Sequence, residues 1–170
     1  MNADSHEPLK FSIRLFRPDD QAACYALHHD GRQGPEAPAN DSALDIDDIA
    51  AAYVRPSGCG FLVAETPEHG IVGMIGILHM DGMGEIRRLR VHGQTRGRGV
   101  GITLLEHAVR FCKDRNYLKV ALDTYIERAE AIRVFGKYQY RLDRARPYAG
   151  KEMIYFYLDL YSSDARPEPA

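Results

Sequence analysis

Between Val91 and Ile102 the hydrophobic period of the chain changes from two to 3.6, and alternating glycines stand at the change. Upstream, Glu85-Ile86-Arg87-Arg88-Leu89-Arg90-Val91 reads as a strand. Downstream, Ile102, Leu105, Ala108 or Val109, and Cys112 line one helix face, while Thr103, Glu106, His107, Arg110, Lys113 and Asp114 line the other. A strand feeding an amphipathic helix through Gly97-Arg98-Gly99-Val100-Gly101 calls for a layered α/β arrangement, in which each covers the apolar side of the other. Glycines let the backbone approach a ligand closely and adopt dihedrals closed to other residues. The first N–H groups of the new helix are unpaired and, with the helix dipole, form a site for a phosphate or pyrophosphate. Arg96 and Arg98 add positive charge beside it.

The rest of the chain alternates in the same way. Phe11 to Phe16 reads as a strand, and Asp19 or Asp20 caps a helix carrying Ala22, Ala23, Tyr25, Ala26 and Leu27. Gly31 to Asn40 is loop, and a helix from about Ser42 to Val54 places Asp45, Asp47 and Asp48 near its start, where carboxylates suit the dipole. Phe61-Leu62-Val63-Ala64 and Ile71 to Leu78 flank the hairpin turn Pro67-Glu68-His69-Gly70, and Asp81-Gly82-Met83-Gly84 makes the next turn. Asn116 is a left-handed stop for the long helix. A strand over Leu118, Val120 and Leu122, a helix from Arg128 to Tyr138, and strands near Tyr140 and from Glu152 to Leu160 complete the order β-α-α-β-β-β-α-β-α-β-β. This predicts a mixed α/β sheet with helices on both sides.

With 170 residues the chain is long enough for one domain with a true core. Its 22 Lys plus Arg against 24 Asp plus Glu argue against a protein that works mainly by coating nucleic acid. Asp4, His6 and Glu7 precede any apolar run, so the N-terminus does not read as a secretory signal. Ile71 to Met80, the longest apolar stretch, falls well short of the roughly 20 residues a membrane-spanning helix needs. Cys24, Cys59 and Cys112 lack metal-ligand spacing, and His28-His29 do not share a helix face, so no metal site is expected. These features predict a cytoplasmic protein with reduced cysteines. Residues 1–10 and 161–170, polar and proline-bearing at their outer ends, read as flexible tails around a domain spanning 11–160.

Which phosphate ligand the loop takes follows from its spacing. The dinucleotide fingerprint fails because Ile102 stands where a third glycine is needed, and there is no Lys-Ser or Lys-Thr pair for a triphosphate loop. Arg96-x-x-Gly99-x-Gly101 instead resembles the Arg/Gln-x-x-Gly-x-Gly/Ala motif of the GNAT N-acetyltransferases, and Glu85 to Leu105 looks like that family's central signature. The resemblance covers about residues 11–160 and implies a single domain of α/β (α+β) class. Its central mixed, mostly antiparallel sheet would splay between the fourth and fifth strands, with helices on both faces.

That resemblance implies acetyl-CoA as co-substrate, with Arg96, Gly97, Arg98, Gly99, Val100, Gly101 and Ile102 at its pyrophosphate and Leu89, Arg90 and Val91 along the pantetheine arm. A backbone N–H near Leu89 or Arg90 would stabilise the developing oxyanion. The implied reaction is direct attack of a primary amine on the acetyl thioester in a ternary complex. Glu85 stands where many members carry a glutamate that takes the amine's proton. Arg87 shares its face and either keeps Glu85 ionised or grips an acceptor carboxylate; an unchanged acceptor KM in Arg87→Ala would exclude the latter. The family's N-x-x-A-x-x-x-Y-x-K-x-G-F segment falls on Arg128, Ala131, Phe135, Lys137, Gln139 and Tyr140. Arg128 replaces the asparagine, and its length would still let it reach a phosphate. Phe135 replaces the tyrosine that protonates the leaving thiolate, with Tyr125, Tyr138 or water as substitutes.

Asp45, Asp47 and Asp48 read either as a solvated helix start or as an attractor for the acceptor amine. The expected partners are acetyl-CoA and an amine of a small molecule or peptide, with no nucleic acid and no membrane; a homodimer is left open. Two other readings compete: a non-catalytic acyl-CoA sensor, and a nucleic-acid binder using Arg87, Arg88, Arg90, Arg96 and Arg98.

Overall fold

The computed structural model describes residues 9–30, 42–125, 129–148 and 150–161. Its strands are β1 (Ser12–Leu15), β2 (Gly60–Thr66), β3 (Gly70–Met80), β4 (Met83–Val91), β5 (Lys119–Tyr125), β6 (Arg141–Tyr148) and β7 (Lys151–Asp159). The α-helices are α1 (Gln21–Asp30), α2 (Leu44–Asp47), α3 (Val100–Asp114) and α4 (Ala129–Lys137). All seven strands form one sheet in the order β1-β2-β3-β4-β5-β7-β6. Each neighbouring pair is antiparallel except β4 and β5, which run parallel.

The alternation of the strands assigns the two faces. Leu62 and Ala64 of β2 join Ile75 and Ile77 of β3 beneath α3, whose Val100, Leu104, Leu105, Ala108, Phe111 and Cys112 close the larger core. Phe61 and Val63 turn the other way and pack with Cys24, Leu27, Ile46, Ile49, Tyr53 and Met74 under α1 and α2. Phe135 of α4 lies in the larger core, so α3 and α4 cover one face and α1 and α2 the other. The β3–β4 turn has Asp81 at φ 47° and Gly82 at φ 79°, the pattern of a two-residue type I′ hairpin. Asn116, at φ 57°, ends α3 as its side chain suggests.

Two local expectations change. The single helix expected over 42–54 is broken: α2 is one turn, and Ala50–Val54 forms a π-helical turn closed by Arg55 N–H donating to the Ala50 carbonyl at 2.9 Å. Tyr53 falls on that turn and is fully buried, together with Ile46 and Ile49. Ahead of α1, Asp20 does act at the helix entry, accepting the Arg17 backbone N–H at 2.8 Å. It does so from inside the 3-10 turn Pro18–Asp20, and it also accepts two N–H donors of Arg14, at 2.7 and 2.9 Å. Among the described residues, no helix is long and apolar enough to cross a membrane.

Candidate active site

Strands β4 and β5 pair from Met83↔Lys119 to Glu85↔Ala121 and part beyond that point. The cause lies in β4 itself. Its register against β3 steps from Gly76↔Arg87 to Met74↔Arg90, so Arg88 and Leu89 together oppose Ile75, and Arg88 takes a left-handed φ of 56°. This bulge rephases the strand: Ile86 faces the α3 core, and so do Leu89 and Val91, whereas strict alternation would send Arg88 and Arg90 there. A bulge beside a parallel pair that stops after three residues opens a wedge in the sheet, with β4 as one wall and β5 as the other.

The glycine loop closes the end of this wedge. Gly97 and Gly99 have φ of 72° and 87°, and no heavy atom lies within 4 Å of where a Cβ would stand on either. Gly99 is the N-cap of the 15-residue α3 and gives it no side-chain cap, so donors of the first turn are left for a ligand. Gly101 seats the helix on β4, its would-be Cβ 3.4 Å from Val91 Cγ2. Arg96 folds back to donate from Nε to the Val91 carbonyl at 3.2 Å. The loop is thereby tied to the end of β4, and Arg98 stands exposed beside it. These positive-φ glycines, uncapped N–H groups and flanking arginines fit an extended, doubly charged pyrophosphate. Leu89 and Val91 are half-buried and lean on the core, with the Arg90 Nη1 donating to the Leu89 carbonyl at 3.0 Å.

On the opposite sheet face, the wedge holds three charges. Glu85 Oε1 accepts Nε of Arg87 at 2.7 Å and lies 2.5 Å from its Nη2, so both side chains share a face as alternation predicts. Asp123 of β5 points to that face too, since its neighbour Leu122 lies in the α3 core, and its Cα partner on β7 is Tyr155. The Asp123 side chain reaches solvent, yet the surrounding protein strips enough water to push its carboxyl above the ordinary range; Arg87 opposes the rise and Glu85 adds to it. Loss of water would lower the Arg87 pKa, but the carboxylates of Glu85 and Asp123 outweigh that and raise it.

The structure thus brings Glu85, Arg87, the residues Leu89 to Val91 and the loop Arg96 to Ile102 around one wedge. Arg128 lies outside the described residues, as does the side chain of Tyr125. Phe135 is buried between Tyr140 and Phe156, with ring centroids 5.8 and 5.6 Å away, and Tyr138 rests half-buried against the same core. Asp45 proves to be a structural anchor: it takes two N–H donors from Arg88, at 2.8 and 2.6 Å, and the Tyr53 hydroxyl at 2.6 Å. Asp48 accepts the Ala51 N–H at 2.9 Å. Asp123 escaped the sequence reading because a lone carboxylate alternating with Val120 and Leu122 looks like any solvated strand position.

Residues 22–140 match the model of the Acetyltransferase (GNAT) family, and the chain belongs to that family. Among curated proteins, rat N-acetyltransferase 8B is 31% identical over 97 residues, covering 54% of this chain and 43% of its own. Zebrafish N-acetylaspartate synthetase is 30% identical over 105 residues, covering 59% and 37% respectively. The chain therefore spans less than half the length of these relatives. The structure of yncA from Salmonella typhimurium with its cofactor acetyl-CoA superposes with a TM-score of 0.75 at 21% identity, covering 94% of this chain and 99% of that one. The ribosomal-protein-S18-alanine N-acetyltransferase of Escherichia coli does so with a TM-score of 0.73 at 14% identity, covering 93% and 99%.

Proposed function

We propose that this protein transfers an acetyl group from acetyl-CoA to a primary amine by direct attack in a ternary complex. The observation that carries this reading is the continuous path from the glycine loop, along the bulged β4, to the carboxylates facing across the wedge. The backbone N–H groups of Gly97 to Ile102 hold the pyrophosphate, and Arg96 and Arg98 supply long-range attraction for it. Leu89, Arg90 and Val91 lie along the pantetheine arm, and an N–H just past the bulge donates to the thioester carbonyl as charge develops on its oxygen.

The acceptor enters as an ammonium and must lose a proton before it attacks. Glu85, Arg87 and Asp123 sum to one negative charge, which favours a cationic amine in the wedge. The proton goes to the carboxylate pair, directly or through water. Glu85 already engages Arg87 through Oε1, whereas desolvation raises the proton affinity of Asp123, so the pair shares the task. Arg87, spanned by both carboxylates, serves better to organise them than to grip an acceptor carboxylate. With Phe135 buried and unable to donate, the leaving thiolate takes its proton from water or from the protonated carboxylate pair.

Thermal unfolding with and without acetyl-CoA tests the binding half. Ligand at a hundred times its dissociation constant adds about 2.7 kcal/mol of stability. Thiol release with a panel of amines tests the transfer half. Binding without release by any amine would leave a sensor rather than an enzyme.

A further inference from the structure

Arg88 occupies a backbone conformation that L-residues avoid, and its side chain explains why it stays there. The bulge places Arg88 at φ 56°, where the Cβ crowds the following carbonyl and glycine is the usual occupant. The Arg88 side chain is only 12% exposed and its guanidinium forms a two-pronged pair with Asp45, Nε to Oδ2 at 2.8 Å and Nη2 to Oδ1 at 2.6 Å. Asp45 is fixed in turn by the Tyr53 hydroxyl, which donates to Oδ2 at 2.6 Å. The fully buried Tyr53 packs against Gly76, where a Cβ would come within 2.6 Å of its ring, and Gly76 is the Cα partner of Arg87. A chain of contacts thus runs from β3 through Tyr53 and Asp45 to the bulge on β4, tying both strands to α2. Burial raises the Asp45 pKa and the Arg88 and Tyr53 bonds lower it further, so the carboxylate stays charged; burial and Asp45 keep the Tyr53 hydroxyl protonated and donating.

We infer that the Arg88–Asp45–Tyr53 clasp is a positioning device that holds the β4 bulge, and with it the N–H groups of Leu89 and Arg90, in the orientation the thioester carbonyl requires. Arg88 is a positioning residue, since its side chain points away from the wedge walls into α2. The same clasp fastens α2 to β4, so that α2 and the bulge keep a fixed spacing. The proposal rests on the acetyltransferase reading for its chemistry, but the clasp itself is a statement about the backbone.

The decisive comparison uses Arg88→Ala, Arg88→Gly, Asp45→Asn and the Arg88→Gly/Asp45→Asn double variant. Three quantities are measured: turnover at saturating acetyl-CoA with the fastest of spermidine, L-aspartate and an alanyl peptide; acetyl-CoA affinity by calorimetry; and deuterium uptake of the 85–91 peptide. Arg88→Ala and Asp45→Asn should each lower turnover about tenfold or more while acetyl-CoA affinity stays within about threefold, and 85–91 should exchange faster. Arg88→Gly should recover most of the turnover lost in Arg88→Ala, because glycine takes the left-handed φ unaided. In that background, Asp45→Asn should cost less than about twofold. A glycine variant no better than the alanine one, or an Asp45→Asn cost equal in both backgrounds, overturns the clasp. If the parent protein neither binds acetyl-CoA nor acetylates any of the three amines, the acetyltransferase reading is what fails. The clasp is then decided by exchange alone, and unchanged uptake over 85–91 in Asp45→Asn refutes it.

Discussion

Tyr140 carries a hydroxyl that is buried beside Phe135 with no hydrogen-bond partner among the described residues, and desolvation pushes its pKa up. A buried hydroxyl left unpaired costs about 1 kcal/mol or more, so Tyr140→Phe should raise the midpoint of thermal unfolding by roughly 2–4 °C. Calorimetry checks this. Gly99 behaves in the opposite way. Its φ of 87° with open space around the missing Cβ means that Gly99→Ala pays a backbone penalty of about 1–2 kcal/mol and meets no clash. Stability should fall slightly and acetyl-CoA affinity more, as titration calorimetry would register. Asp123 couples stability to activity. Because its folded pKa is raised above the ordinary 3.8, the folded state binds more protons than the unfolded one between those values, and stability falls as pH rises through that window. Asp123→Asn should therefore stabilise the fold at neutral pH while removing the acid limb of the kcat/KM profile. A limb that persists in Asp123→Asn and vanishes in Glu85→Gln would instead make Glu85 the sole base.

Elements rather than single residues decide how the first strand is retained. β1 lies at the sheet edge, and Arg14 fastens it at two points, Asp20 at 2.7 Å and Glu65 of β2 at 2.8 Å. The Asp20 carboxyl is held below its ordinary 3.8 chiefly by the Arg14 hydrogen bonds, against the effect of its burial and with help from the Arg17 N–H. A depressed acid pKa stabilises above the unfolded value and loses that contribution as pH falls through the folded one. The β1–α1 corner should thus loosen below about pH 4, and Asp20→Asn should show the loosening already at pH 7 as faster amide exchange in residues 11–20. Element existence and order were readable because the apolar runs are long and unbroken: β2 and β3 are apolar on both faces, as central strands between two helical layers must be, and α3 commits to one face. The helix over 42–54 misread because the Ile46, Ile49 and Tyr53 spacing suits an α-helix, and nothing local announces the extra residue in the π-helical turn. The β4 bulge left a trace: in Ile86-Arg87-Arg88-Leu89-Arg90-Val91 the apolar phase slips by one residue, as a strand needs when one residue is inserted. What alternation could not yield was the partner of Arg88, because Asp45 lies 43 residues away and meets it only through the packing of Tyr53.

Across the molecule, a net charge of −2 conceals two local fields. Arginines gather at the glycine loop, where α3 also presents its positive end. Carboxylates gather on the other side of the wedge, where Asp123 and Glu85 share a face with Arg87, while Asp45 is turned inward to Arg88. One end of the wedge suits a pyrophosphate and the other an ammonium, which is the charge layout of a two-substrate transferase. In the proposed function the loop holds the coenzyme's pyrophosphate, so acetyl-CoA binding is the step on which everything else depends. Isothermal titration of acetyl-CoA into the parent protein and into Gly99→Ala measures it directly. Saturable one-to-one binding by the parent, weakened about tenfold in the variant, is expected. No heat of binding in the parent, or equal affinity in both, would contradict the assignment of the glycine loop as the coenzyme site.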